Sequence, residues 1–307
     1  MIYYTAMDNR KIIGIGELLW DCVGQSRRPA GALANVAYHA TQWGLPSSLF
    51  SRVGNDALGK ELTDYLSSRG VDTSCIQIDE TLPTSTVDVD VSRPDKPTFV
   101  IHENVAWDNM QYTPQWEQLA YKAQAICFGT LAQRCDASRE TLDCVLTAIP
   151  EDCLTLFDLN LRPPYFYRKW IERSLFSAWI VKISADETEM FANDMGFAVS
   201  TPGKELAKAI RENFSVPVVC FTFGKDGCSL YTESESIVLP GIPIQPVPGA
   251  DAVGAGDAFD AALIYGFLNE FAPEKTLNLA NRAAAYVASQ IGSMPEVKEF
   301  YQTLLNE

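Results

Sequence analysis

Between residues 125 and 223 the chain reads Ala125-Ile126-Cys127-Phe128, Leu154-Thr155-Leu156-Phe157, Trp179-Ile180-Val181-Lys182-Ile183 and Val218-Val219-Cys220-Phe221-Thr222-Phe223, with helical stretches between these runs. Each run is short and strand-like, and each is followed by a segment of helical spacing. Such alternation implies right-handed βαβ crossovers and a mostly parallel central sheet with helices on both faces. The predicted fold class is therefore α/β.

Working outward from that stretch, Lys11–Ile15 reads as an apolar strand and residues 33–43 have helical apolar spacing, stopped by Gly44-Leu45-Pro46. Residues 48–53 read as a strand and 57–69 as an amphipathic helix closed by Gly70. Next come two alternating segments, 84–91 and 98–102, separated by Ser92-Arg93-Pro94-Asp95-Lys96-Pro97. That pattern predicts a β-hairpin with no helix between its strands. On the other side, residues 229–244 hold short β segments, followed by helices over Ala255–Leu268, 275–290 and 295–304. The expected organisation is an α/β core from residues 1–16, 31–82 and 108–307, with a small β element from 17–30 and 83–107. In open α/β sheets ligands bind outside the carboxyl ends of the strands, so motifs there carry the most weight.

A chain of 307 residues that is 47% hydrophobic can bury a substantial core. Its formal net charge of -15, with acids and bases interspersed, disfavours nucleic acid and anionic membranes as partners. Residues 1–11 lack the apolar stretch of a signal peptide, and no run approaches the length of a membrane span. Eight cysteines form no C-x-x-C pair and read as scattered thiols of a reduced, cytoplasmic protein. With two histidines far apart in sequence, a zinc site or a serine–histidine triad is disfavoured.

The segment that carries chemistry is Asp251-Ala252-Val253-Gly254-Ala255-Gly256-Asp257, which leads into the apolar run Ala258-Phe259-Asp260-Ala261-Ala262-Leu263-Ile264. Small residues let backbone N–H groups turn toward a ligand, and a helix N-terminus adds partial positive charge. Together they make an anion hole suited to a transferring phosphoryl group. Asp257, at the helix mouth, is then a candidate acceptor for the proton of an attacking hydroxyl. Read locally, the same residues equally describe a glycine-rich turn with Asp257 as an ordinary helix cap.

This segment resembles the second signature of the PfkB (ribokinase-like) carbohydrate kinases, D-T-x-G-A-G-D-x-F. The resemblance runs over nearly the whole chain. Ala30-Gly31-Ala32-Leu33-Ala34-Asn35-Val36-Ala37 is similar to the first signature, G-G-A-P-A-N-V-A, and Val53-Gly54-Asn55-Asp56-Ala57-Leu58-Gly59 continues it in register. Thr222-Phe223-Gly224-Lys225-Asp226-Gly227 resembles the T-x-G-x-x-G stretch that contacts nucleotide phosphates. The resemblance implies a ribokinase-like fold, a small β-sheet lid and ATP as phosphoryl donor. It assigns Asp257 as catalytic base, with Gly254, Ala255 and Gly256 stabilising transition-state charge. Asp21, Gly31 and Asn35 match sugar contacts. Lys182, Ser184, Thr222, Gly224, Gly227, Gly256 and Asn281 fall to the nucleotide. Glu187 falls to Mg²⁺ through water, and Asp251 to a monovalent cation such as K⁺. Read without the family, Asp21 is a strand-end turn and Asn35 a helix N-terminal amide.

Several residues depart from the family pattern. Ala30 replaces Gly, Leu33 replaces Pro, Ala252 replaces Thr, and Ser184 stands where Asn is expected in Lys182-Ile183-Ser184-Ala185-Asp186-Glu187. Ala252 removes a hydroxyl beside the anion hole, which bears on the cation site. Asp158-Leu159-Asn160-Leu161-Arg162-Pro163-Pro164 resembles the D-x-N-x-R motif of bacterial fructokinases and 2-keto-3-deoxygluconate kinases. Arg162 presents a rigid cationic fork to substrate or phosphate oxygens, or else makes a structural salt bridge. Phe128-Gly129-Thr130-Leu131-Ala132-Gln133-Arg134 and Ala106-Trp107-Asp108 also resemble fructokinase segments. Trp107 reads equally as a hydrophobic wall over the sugar or as packing within the lid. The favoured expectation is a kinase acting on a primary hydroxyl of fructose, a homodimer through the lid. The alternatives are 2-keto-3-deoxygluconate or ribose as substrate, or a catalytically weakened sugar-binding regulator. A nicotinamide-binding reading of Gly14-Ile15-Gly16 fails, because Glu17-Leu18-Leu19-Trp20 lacks the third glycine and the helix start.

Overall fold

The computed structural model describes residues 10–24, 26–90, 98–198 and 203–307. Along the chain the strands are β1 (Lys11–Ile15), β2 (Leu19–Val23), β3 (Ser26–Ala30), β4 (Ser47–Gly54), β5 (Ile76–Asp79), β6 (Ser85–Asp90) and β7 (Thr98–Ile101). They continue with β8 (Ala123–Gly129), β9 (Leu154–Asp158), β10 (Ile180–Ser184), β11 (Val218–Thr222), β12 (Gly227–Tyr231) and β13 (Ser236–Pro240). The central sheet has the order β13-β12-β11-β10-β9-β8-β1-β4-β5, with parallel pairing from β5 through to β11. Only β12 and β13 run antiparallel to their neighbours. The alternation over residues 125–223 thus forms the parallel ladder it predicts.

Successive residues of a strand face opposite sides of a sheet, and here they feed two separate cores. Ile12, Ala125, Cys127, Leu156, Ile180 and Cys220 point to one core, which the helices Ala32–Gln42, Ala57–Ser68, Ala255–Leu268 and Pro273–Ala288 cover. Ile13, Ile126, Phe128, Phe157, Val181 and Phe221 point to the other, beneath Asp136–Ala148, Arg168–Phe176 and Gly203–Phe214. Both faces being covered explains why the strands are nearly continuous apolar runs rather than alternating ones.

Helix Ala255–Leu268 is apolar around nearly its whole circumference and buries Phe259, Asp260, Ala261, Ala262, Leu263 and Ile264. A helix of that kind has to sit between other elements. It packs against both Ala32–Gln42 and Pro273–Ala288. At Gly266 a Cβ would lie 2.5 Å from Thr276 Cγ2, so the close approach of the two helices requires glycine there.

A separate four-stranded sheet has the order β3-β2-β6-β7. β6 and β7 pair antiparallel as the alternating segments predict, while β2 pairs parallel to β6. The expected turn Ser92-Arg93-Pro94-Asp95-Lys96-Pro97 lies outside the described residues, as does most of the leading segment 1–11. β5 has no counterpart in the sequence reading. Its four residues, Ile76-Gln77-Ile78-Asp79, carry too little pattern, and pairing with β4 makes the strand. The last helix begins at Lys298 rather than at residue 295. The Pro295 carbonyl instead accepts a hydrogen bond of 2.5 Å from Tyr38 Oη, which holds that stretch outside the helix. Among the described residues no helix is long and apolar enough to cross a membrane.

Candidate active site

A cavity of about 830 Å³ opens between the carboxyl ends of the central strands and the small sheet. Its walls include Glu17, Asp21, Asn35, Arg162, Lys182 and Asp257. Loop 250–254 and helix Ala255–Leu268 form one side of it. Gly254 caps that helix with φ 80°, and a Cβ there would lie 2.5 Å from the Ser293 Cβ. The left-handed turn at that cap favours glycine, and Gly254 and Gly256 both line the cavity at the N-terminus of the helix.

Asp257 stands in the first turn of this helix and is half-buried. Asn35 Nδ2, in the first turn of helix Ala32–Gln42, donates to its Oδ2 at 2.6 Å. Two signatures far apart in sequence thus meet at one hydrogen bond. Burial pushes the Asp257 carboxyl up to about 6, Asn35 draws it back, Asp158 raises it, and Lys182 and Arg162 lower it. The result is a carboxyl that exchanges its proton closer to neutrality than a solvated one does. Gly31 precedes Asn35 with φ 117°, and a Cβ there would meet the Glu17 carbonyl oxygen at 2.3 Å.

Beneath Asp257 lies a dry charged cluster. Lys182 Nζ is 2.6 Å from Asp158 Oδ1 and 3.7 Å from Asp260 Oδ2, with all three residues buried. Burial alone would lower the Lys182 pKa, but Asp158, Asp260 and Glu187 outweigh it and keep the ammonium charged. Asp260 is fully buried, and neither carboxyl oxygen has a hydrogen-bond partner among the described residues. Burial, with Asp158 and Asp257 adding to it, drives the Asp260 carboxyl well above its ordinary range against the pull of Lys182. That rise weakens the charge repulsion among three neighbouring acids that share one ammonium. The sequence places Asp260 only within the apolar run that follows Asp257. Its proximity to Lys182 leaves no local signal.

Two acids line the sugar-facing wall. Asp21 on β2 is pushed up to about 6 by burial and by Asp251, with Arg28 and Arg162 opposing. Glu17, missed in the sequence, accepts from Ala32 N at 3.0 Å and so caps helix Ala32–Gln42 from outside. Its Oε2 is buried with no hydrogen-bond partner among the described residues, and burial lifts the carboxyl to about 7. Arg162 makes no ion pair among the described residues, and its Nη1 donates only to its neighbour's carbonyl, Leu161 O, at 3.1 Å. Of its two readings, the structural salt bridge is absent here.

Glu187 caps helix Ala185–Met195. Its Oε1 accepts from Leu161 N at 2.6 Å, and its Oε2 accepts from Ser184 N at 2.8 Å and Ser184 Oγ at 2.7 Å. A carboxylate so occupied fits a cation through water rather than as a direct ligand. Ser184 pairs with Thr222 across β10 and β11, which puts both at strand carboxyl ends. Gly224 follows with φ +56° and open space where a Cβ would stand, a cradle of the kind a phosphate can approach.

Three expected contacts change on inspection. Trp107 is completely buried with Val105 and Leu131, and Arg134 stacks 4.0 Å above its ring. It packs behind the cavity wall and is not a surface over the sugar. Gly227 is buried where a Cβ would lie 2.1 Å from Leu239 O, so the pairing of β12 with β13 requires it. Asn281 spends its amide on Pro240 O at 2.9 Å. Both support the ends of β12 and β13, and like Thr222 and Gly224 they lie outside the lining of the cavity.

Comparison with known proteins follows the same lines. The profile described as "pfkB family carbohydrate kinase" matches residues 1–299. The uncharacterized sugar kinase PH1459 of Pyrococcus horikoshii is 32% identical over 274 residues, covering 84% of this chain and 82% of that protein. Its structure in complex with ATP superposes with a TM-score of 0.79, at 31% identity over 92% of this chain and 94% of that one. Fructokinase of Salmonella typhimurium is 26% identical over 317 residues, 97% of this chain and 99% of that protein. A fructokinase double mutant from Vibrio cholerae, with fructose, ADP and potassium ion bound, shares the fold. Its TM-score is 0.78 at 24% identity, over 96% of this chain and 98% of that one.

Proposed function

This chain belongs to the pfkB family of carbohydrate kinases, and from that premise we propose that it transfers the γ-phosphate of ATP to a primary hydroxyl of fructose. The observation that carries the reading is the Asn35–Asp257 hydrogen bond of 2.6 Å at the mouth of a glycine-capped helix. It sets a proton acceptor beside an anion hole inside one cavity. The wall carrying Glu17 and Asp21 supports a polyol, whose hydroxyls need acceptors at fixed places.

In this mechanism Asp21 and Asn35 orient the sugar so that one hydroxyl faces Asp257. Asp257 takes that proton as the oxygen attacks. Backbone N–H groups of Ala255 and Gly256, at the positive end of the helix, receive the charge that gathers on the phosphoryl oxygens. Arg162 brings a further positive charge to the same cavity. Lys182 stays fixed between Asp158 and Asp260 and lends its charge from below rather than by moving. ATP would lie along Ser184, Thr222 and Gly224, with Glu187 holding water on its Mg²⁺. That cation neutralises phosphate charge when it is bound with ATP. The small sheet would act as a lid that excludes water from the sugar, which suppresses ATP hydrolysis. A homodimer through that sheet belongs to the same reading, as does a cytoplasmic location.

A second substrate class has one observation in its favour. Arg162 lacks an ion partner, as a site for a sugar acid such as 2-keto-3-deoxygluconate would require. A coupled ADP-release assay with Mg²⁺-ATP against ketoses, aldoses, keto-deoxy acids and nucleosides separates these readings. Fastest turnover on fructose supports the first, fastest turnover on a keto-deoxy acid the second. No turnover on any sugar leaves a sugar-binding regulator.

A further inference from the structure

We propose that the guanidinium of Arg28 stands in for a monovalent cation beside the anion hole, so that this kinase needs no potassium. The inference rests on the kinase reading above. Asp251 begins the loop that leads into the anion hole, and the family pattern gives it to a monovalent cation. Here its Oδ2 lies 2.5 Å from Arg28 Nη1, while its Oδ1 accepts from Val253 N at 3.2 Å. Both carboxylate oxygens are therefore engaged.

Of the oxygens near this loop, one candidate donor is missing and the others are hydrogen-bonded. Ala252 has no hydroxyl. The carbonyls of Ser289 and Gln290 accept from Val247 N at 2.9 Å and Asp251 N at 3.1 Å. Ser293 Oγ, the nearby hydroxyl, donates to Pro29 O at 3.3 Å. These hydrogen-bonded oxygens each keep a lone pair, so what excludes a cation is the guanidinium seated on Asp251, whose fixed positive charge takes its place.

Arg28 is also built into place. It lies on β3 opposite Asp21 of β2, so it lies between the acid of the sugar wall and the acid of the loop. Its Cδ runs 3.4 Å from the position a Cβ would take on Gly292, which has φ +74°. The positive φ favours glycine at position 292, where the backbone runs alongside the arginine stem. The charge that a diffusible ion would bring is thus supplied from the small sheet, covalently and in one copy.

The test compares potassium chloride with choline chloride at equal ionic strength, reading melting temperature and turnover for the wild type and for Arg28→Gln. An ion that binds only the folded protein raises its melting temperature by mass action. The wild type is expected to melt at the same temperature and turn over at the same rate in both salts. R28Q is expected to lose roughly tenfold in rate in choline, about 1.4 kcal/mol of barrier, and to regain both rate and melting temperature in potassium. A wild-type melting temperature or rate that rises with potassium overturns the proposal, as does an R28Q protein indifferent to potassium. Should R28Q not fold, the wild-type comparison decides alone. Should no sugar turn over, the kinase reading fails while melting still decides the cation question.

Discussion

The two ends of the cavity are built on opposite plans. At the base, Lys182, Asp158 and Asp260 are buried and locked by distances of 2.6 and 3.7 Å, and Asp257 is held by Asn35. At the small sheet, Asp21 and Arg28 stay partly exposed, and Arg28 reaches Asp251 with about a third of each side chain in water. The contrast follows from the work each end has to do. Charge developing in a transition state is best met by dipoles and ions that do not reorganise, so the phosphoryl end is dry and rigid. A sugar has to enter and leave, so its end is wet and open to adjustment. Interactions in a dry site are also worth more, which sets the expected order of mutational effects.

Removing the base should show the largest effect. Asp257→Asn is expected to lower kcat by roughly 10²–10⁴-fold with little change in sugar KM, as loss of a general base does. A near-wild-type rate removes Asp257 from the mechanism. Next comes the locked cluster. Lys182→Met leaves Asp158 buried without its cation and should destabilise the fold by about 3–5 kcal/mol, measured by denaturant unfolding. Unchanged stability would show that the base is not the rigid end.

The sugar wall should respond in KM instead. Asp21→Ala is expected to raise sugar KM about tenfold, the scale of one hydrogen bond to a charged group, with kcat less affected. An unchanged KM rules out that contact and erases the contrast between the two ends. A pH profile sharpens the comparison further. Asp257 acts as base only when ionised, and its carboxyl is raised to about 6, so kcat should fall on the acid side with a midpoint near that value. A flat profile across that range contradicts the assigned role.

The smallest effect concerns Glu17, whose carboxyl rises from 4.5 unfolded to about 7 folded. A raised carboxylate favours the folded state while protonated, so its contribution is full below the unfolded value and fades as pH climbs through about 7. Glu17→Gln should remove that slope from the dependence of folding stability on pH. A slope that persists in the variant assigns it to another group.

Much of this was legible in the chain itself. Strand runs of four to six apolar residues with helices between them can bury both faces only in a parallel sheet, so the architecture followed from residues 125–223. Gly254, Gly256 and Asp257 were legible from their neighbours as a helix mouth, while their chemical reading came from the resemblance to the family signatures. β5 was not, since Ile76-Gln77-Ile78-Asp79 becomes a strand only by pairing with β4.

Tertiary structure alone decided the rest, because pairing between distant residues leaves no periodic trace in a sequence. Asn35 meets Asp257 across 222 positions, and Arg28 meets Asp251 across 223. Folding turned Trp107 from a candidate sugar wall into core, and Gly227 and Asn281 into supports for the ends of β12 and β13. It also gave Asp260 its place beneath Asp257, where burial drives its carboxyl well above the ordinary range. A residue type and its spacing determine what chemistry is available. The dielectric and the neighbours that folding supplies determine which of it is used.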